Sequence, residues 1–189
     1  MTVDKHPLSA SEIASLRARI TRPVVLVGLM GTGKSSVGRR LAATLDLPFT
    51  DADEAIEQAA KMPIPDIFER YGEPLFRDGE RRVIARLMAD AEGIIATGGG
   101  AFANAETRKL ILDKGTAIWL DADIDTLVER VGRKGNRPLL NTGNPRETLA
   151  RLHAERAPAY AQAPIHVQST PGPHERTINR IMKALDAWL

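Results

Sequence analysis

Apolar positions along the chain fall into two alternating kinds of segment. Continuous runs at Pro23-Val24-Val25-Leu26-Val27, Gly93-Ile94-Ile95-Ala96 and Thr116-Ala117-Ile118-Trp119-Leu120 read as strands buried on both faces. Phe49-Thr50 and Ile165-His166-Val167 add two shorter strands. Between the strands, apolar residues recur three and four apart, the period of a helix with one inward face. Val37, Leu41 and Leu45 follow the first strand and Ile56 with Ala59 the second, the latter interrupted by Pro63 and Pro65. Ile67 and Phe68 sit on a short piece ending at Gly72, before a longer stripe of Phe76, Val83, Ile84, Leu87 and Met88. A helix after the third strand stops at Gly115, and another carries Ile124, Leu127 and Val128. Pro145 opens a helix through Arg156 that Pro158 closes, and Ile178, Ile181, Met182, Leu185 and Trp188 stripe a last one. Asp46-Leu47-Pro48 marks a helix end, since the residue before proline avoids helical angles. The expected fold is α/β, a five-stranded parallel sheet with helices on both faces and ligands gathered at the carboxyl ends of its strands.

Residues 1–22 precede the first strand as an extension. Ser9 with Glu12 forms a capping box, and Ile13, Leu16 and Ile20 lie at helical spacing, so a short accessory helix is expected there. Residues 23–189 then form the main domain.

The first strand runs into Gly28-Leu29-Met30-Gly31-Thr32-Gly33-Lys34-Ser35, a full G-x-x-x-x-G-K-[ST] string between a strand and a helix, the context this motif requires. Its glycines let the backbone turn several N–H groups toward one polyphosphate, and the following helix adds the positive end of its dipole. In that setting Lys34 would hold the β and γ phosphates and the Ser35 hydroxyl would ligate magnesium.

Composition narrows the setting. The 189 residues carry 26% charged and 43% hydrophobic side chains, the balance of one folded domain, and a formal net charge of +2 that points to neither nucleic acid nor a membrane surface. There is no cysteine, which rules out disulfides and thiolate metal sites. Residues 1–22 contain no continuous apolar run of signal-peptide type, and a cytoplasmic protein is expected.

Four further clusters bear chemistry. Asp51 and Asp53 stand one residue apart just past a strand, a spacing that in extended chain points both carboxylates the same way. Beside a magnesium nucleotide, Asp51 can bind the metal or its waters and Asp53 can accept a hydrogen bond from a hydroxyl; alternatively the pair caps a helix. Arg77 has Glu73 four residues before it and Glu80 three after, which an ordinary ion-pair row explains, or a fork for an acceptor carboxylate oriented by Glu80. Thr97-Gly98-Gly99-Gly100 exposes backbone N–H groups where side chains would block a ligand. An aspartate often ends this strand in phosphate-loop proteins; its absence leaves metal binding to Asp51. Arg130, Arg133, Lys134 and Arg137 put four cations near two glycines, within or beside a loop over 132–144 that can be solvated charge or a lid closing over a nucleotide.

Taken with Phe76-Arg77 and Glu80, Gly98-Gly99-Gly100-Ala101, Arg137-Pro138-Leu139-Leu140 and Arg156-Ala157-Pro158, the phosphate loop and Asp51-Ala52-Asp53 give the chain a close resemblance to shikimate kinase from about Val24 onward. The resemblance implies the three-layer P-loop kinase fold and transfer of the ATP γ-phosphoryl group to the 3-hydroxyl of shikimate, with Mg2+ as the ion. By position, it implies that Asp53 contacts the accepting hydroxyl and that Asp51, with Ser35, sits by magnesium. Arg77 and Arg156 would grip the shikimate carboxylate, Glu80 would support Arg77, and Gly98, Gly99 and Gly100 would offer backbone contacts. Gly31, Thr32, Gly33, Lys34, Ser35 and Ser36 would bind ATP, Arg130 would lie near adenine, and Arg137 would reach ATP from the lid, joining Lys34 and Asp53 as catalytic. A monomer is expected, with no nucleic-acid or membrane partner.

Other readings compete. A phosphate-loop kinase for gluconate or a nucleoside monophosphate shares the donor site, but the Arg77 and Arg156 pair with Asp53 favours a carboxylated polyol. An ATP-responsive binding module would have no need of a hydroxyl-directed Asp53 beside Lys34 and Ser35.

Overall fold

The computed structural model describes residues 7–89, 92–132 and 144–189. Its strands β1 (Val24–Val27), β2 (Phe49–Asp51), β3 (Ile94–Ala96), β4 (Thr116–Asp121) and β5 (Ile165–Gln168) form one sheet in the order β2-β3-β1-β4-β5. All four neighbouring pairs are parallel. Eight α-helices accompany them among the described residues: α1 (Ala10–Arg19), α2 (Lys34–Leu45), α3 (Ala52–Ala60), α4 (Ile64–Leu87), α5 (Ala105–Lys114), α6 (Ile124–Gly132), α7 (Pro145–Tyr160) and α8 (His174–Trp188).

Alternation along β1 explains the layers. Val24 and Leu26 join Leu16 of α1, Leu41 of α2 and Ile181 of α8 on one face, while Val25 and Val27 join Ile84 of α4, Ile111 of α5 and Tyr160 of α7 on the other. Each central strand is therefore apolar on both sides. The register sets Leu26 beside Ala96, and Ala96 beside Asp51, so β1, β3 and β2 end level with one another. The phosphate loop, Thr97 with its glycines, and the turn into α3 therefore all emerge at one edge of the sheet.

Several boundaries differ from the sequence pattern. β2 includes Asp51, whose side chain caps α3 by accepting from the Asp53 N–H at 3.0 Å. Asp51 and Asp53 are thus a cap and a first-turn residue rather than two positions of an extended segment. Because α3 begins at Ala52, its inward residues are Ala52 and Ile56, and Ala59 is exposed. Ile64–Leu87 is helical on both sides of a break at Gly72, where φ is 75°. α7 continues through Pro158 to Tyr160, because a proline in the final turn forfeits a single intrahelical bond and the helix then ends.

The Ser9–Glu12 capping box is present, and α1 lays fully buried Leu16 on α2 and α8. Arg19 pairs with Asp186 of α8. The sequence-predicted lid, with Arg133, Lys134 and Arg137, falls largely in 133–143, outside the described residues.

Candidate active site

Phosphate-loop geometry is set by where side chains cannot go. At Gly28 a β carbon would lie 2.1 Å from the Leu120 carbonyl oxygen, so β1 can turn away from β4 only through a glycine. Gly33, the residue capping α2, has φ 96°, a left-handed conformation that other residues adopt only with strain. Lys34 is buried, and its Nζ donates to the carbonyls of Gly28 at 2.7 Å and Leu29 at 2.8 Å. The Thr32 hydroxyl turns inward to the Leu29 carbonyl at 2.9 Å.

Above the loop opens a cleft of about 530 Å³, to which Gly31, Gly33, Lys34, Ser35 and Ser36 contribute, as do Asp53 and Gly99. Arg130 forms its far wall. Its guanidinium donates to Ser169 Oγ at 3.0 Å and the Thr170 carbonyl at 2.9 Å, with longer bonds of 3.4 and 3.3 Å to the Gly31 and Thr32 carbonyls. It thereby ties α6 and the phosphate loop to the turn between β5 and α8, whose Pro171 and Gly172 face the cleft together with His174 at the start of α8. Burial pulls the His174 imidazole below its ordinary value, and the Arg40 and Arg130 guanidiniums act in the same direction.

The three glycines after β3 form the floor where the other candidates meet. A β carbon at Gly98 would lie 2.7 Å from Asp53 Oδ1 and 3.1 Å from Glu80 Oε1. At Gly99 it would lie 3.2 Å from the Met30 N–H nitrogen of the phosphate loop. At Gly100 it would lie 2.5 Å from Arg77 Nη2. Each missing side chain leaves room for a different functional group, which a flexible turn alone does not require. From α7, Arg156 Nη1 donates to the Gly99 carbonyl at 2.9 Å, and the Tyr160 hydroxyl donates to the same oxygen.

Arg77 makes both of the ion pairs that its spacing predicts. Nη1 donates to Glu80 Oε2 at 2.7 Å, and Nε and Nη2 reach Glu73 Oε1 at 3.3 and 3.2 Å. Glu80 is only 1% exposed, so this is a buried carboxylate fixing one edge of the guanidinium rather than a row of surface charges. Burial lifts the Glu80 carboxyl above its ordinary value, against the pull of Arg77.

Asp53 is the most perturbed carboxylate of the site. Burial is the largest cause and the neighbouring Asp51 charge the next; together, with Glu80 and Glu57 adding and Lys34 opposing, they push it up to about 6. A carboxylate poised there can exchange a proton near neutrality. The groups available to a metal are the Ser35 hydroxyl in the cleft and Asp51, 9% exposed at the end of β2. Among the described residues no group of three or more His, Cys, Asp or Glu is placed to hold an ion. One hydroxyl and one carboxylate beside a polyphosphate cradle fit magnesium, which keeps several waters and draws its remaining ligands from phosphate.

The structure thus brings Lys34, Ser35, Ser36, Asp51, Asp53, Arg77, Gly98, Gly99, Gly100, Arg130 and Arg156 to one edge of the sheet. Two participants escaped the sequence reading, the Tyr160 hydroxyl and His174. Tyr160 bonds a segment distant in the chain and His174 lines the cleft from the start of α8, and no local pattern marks either.

Known proteins resemble the chain along nearly its whole length. The family model described as shikimate kinase matches residues 30–186. A shikimate kinase of Novosphingobium aromaticivorans is 61% identical over 100% of both chains, and one of Rhodopseudomonas palustris is 51% identical over 98% of this chain and 90% of its own. Among solved structures, shikimate kinase from Acinetobacter baumannii in complex with shikimate superposes with a TM-score of 0.84 at 34% identity, covering 89% of this chain and 95% of that one. A gluconokinase from Sinorhizobium meliloti, at 17% identity and a TM-score of 0.60, shares the fold. With a matching family model over most of its length and a full-length relative at 61% identity, the chain belongs to the shikimate kinase family.

Proposed function

We propose that the chain transfers the γ-phosphoryl group of ATP to the 3-hydroxyl of shikimate. The observation that carries this reading is the Gly98–Gly100 floor, which touches Asp53, Arg77, Arg156 and the phosphate loop together. A carboxylated acceptor gripped by the two guanidiniums would lie with its hydroxyl toward Asp53, and the phosphate loop would present the donor from the other side.

In this mechanism the Lys34 ammonium exchanges the Gly28 and Leu29 carbonyls for phosphate oxygens, where it opposes charge that builds during transfer. Asp53, poised at about 6, accepts the hydrogen bond of the attacking hydroxyl and takes its proton as the new bond forms. Arg77, held by Glu80, and Arg156 fix the acceptor so that attack is in line. Arg130 lies toward the adenine, and Arg137, which falls outside the described residues, would supply a further cation to ATP. Ser35 and Asp51 would hold Mg2+, which supplies charge neutralisation at the phosphates when bound.

Residues 1–22 are an extension whose helix α1 is an accessory to the kinase domain of 23–189, and the enzyme works as a cytoplasmic monomer. No helix among the described residues is long and apolar enough to cross a membrane. Measuring ADP release with shikimate, gluconate and nucleoside monophosphates in parallel tests the acceptor. Turnover restricted to shikimate is the expected result; faster turnover with another acceptor would overturn the assignment.

A further inference from the structure

Tyr160 is 1% exposed and packs on Trp119 with ring centroids 5.8 Å apart, yet its hydroxyl leaves the core to donate to the Gly99 carbonyl. That oxygen also takes Arg156 Nη1 at 2.9 Å. A carbonyl has two lone pairs, so it holds both donors at once. Arg156 and Tyr160 are four residues apart on α7, so one helix face delivers both. On its other side the Gly99 peptide abuts the phosphate loop at Met30. The peptide is therefore a spacer between the donor cradle and the acceptor floor, and α7 clamps it.

The two clamps differ in what else they can do. Arg156 is half-buried, and its guanidinium has donors to offer a ligand carboxylate. Tyr160 is sealed into the core, and burial pushes its hydroxyl up to about 12, which keeps the proton needed for donation across the neutral range.

We propose that Tyr160 is a positioning residue that holds the Gly99 peptide against the phosphate loop when Arg156 turns from that carbonyl to the acceptor's carboxylate. This role rests on shikimate being the acceptor. Without the hydroxyl, recruiting Arg156 leaves the Gly99 carbonyl without either side-chain donor, a cost that acceptor binding would bear and ATP binding would not.

Tyr160→Phe tests this, because it keeps the ring and its packing and removes only the donor. Kinetics with each substrate varied should show kcat/KM for shikimate reduced by about tenfold, the order expected of one buried hydrogen bond, with KM for ATP unchanged. Amide hydrogen exchange on the substrate-free protein should speed up over residues 97–103. Unchanged exchange there would overturn the proposal whatever the kinetics, and so would equal losses for both substrates. Absence of shikimate turnover in the parent enzyme would sink the acceptor reading instead, while the exchange measurement, which needs no acceptor, would still decide the Gly99 anchor.

Discussion

Asp53 occupies the space that a side chain at Gly98 would fill: a β carbon there would stand 2.7 Å from Asp53 Oδ1, with Glu80 Oε1 at 3.1 Å behind it. Glu80 has little freedom to withdraw, because it is buried against Arg77, so the Asp53 carboxylate is the group that must move. Gly98→Ala should therefore displace Asp53 and lower kcat with shikimate by about 100-fold, the scale of losing a positioned general base. ATP affinity, measured by nucleotide titration, should stay within about twofold, because that side chain would not reach the phosphate loop. A kcat near the parent value would show that the Asp53 carboxylate need not sit where the structure has it.

Gly100→Ala probes the neighbouring wall and should fail differently. Its β carbon would come within 2.8 Å of both terminal nitrogens of Arg77, pushing the guanidinium off its Glu80 partner. Here KM for shikimate should rise by about tenfold or more while kcat at saturation changes less, the pattern of lost acceptor binding. Steady-state kinetics on the two alanine variants side by side separate the roles. Identical profiles would argue that the floor is one structural unit without distinct binding and chemical ends.

The perturbed carboxylate makes a linked prediction in activity and stability. Asp53 titrates near 6 in the folded protein against 3.8 ordinarily, so the native state binds the extra proton between those values. Stability should fall as pH rises through that window, and the cost of the buried charge is fully present above it. Asp53→Asn removes that charge. The variant should lose turnover by at least about 100-fold yet gain about 1–2 kcal/mol of stability at pH 8, a gain that fades as pH falls toward 4. Denaturant unfolding at several pH values checks the second part, and the parent enzyme's kcat/KM should decline on the acid side with a midpoint near 6.

Some of this was legible in the chain and some was not, for identifiable reasons. The strands of the sheet's centre announced themselves because parallel strands are buried on both faces, and Val24 to Val27 alternate between two cores without a polar residue. The phosphate loop is likewise a local pattern, eight consecutive residues between a strand and a helix. Asp51 is harder, since a strand-ending residue and a helix cap are the same residue here, and period-two and period-3.6 patterns overlap on it. That overlap also misassigned Ala59, which a helix starting at Ala52 turns outward. Pro158 closes a helix in sequence logic, yet a last turn tolerates it, and the turn it leaves intact carries Tyr160. The hydroxyl then bonds a carbonyl 61 residues away, a relationship that no spacing rule reaches.

Glu80 offers the sharpest separation of orientation from mere charge. Its carboxylate is 1% exposed and holds Arg77 at 2.7 Å, whereas the second partner, Glu73, is exposed and reaches the same guanidinium at 3.2 Å. Glu80→Gln keeps shape and an accepting oxygen but removes the buried charge, so the fold should survive with a loss within about 1–2 kcal/mol. Glu80→Ala leaves a void and a half-buried cation with only the exposed partner, and should cost about 3 kcal/mol or more. If Glu80 aims the fork at an acceptor carboxylate, the glutamine variant raises KM for shikimate about fivefold, while KM for ATP holds. Thermal unfolding sorts the two variants by stability, and kinetics with each substrate varied sort them by orientation. An unchanged shikimate KM in Glu80→Gln would show that an accepting oxygen at position 80, and not the buried charge, sets the angle of the fork.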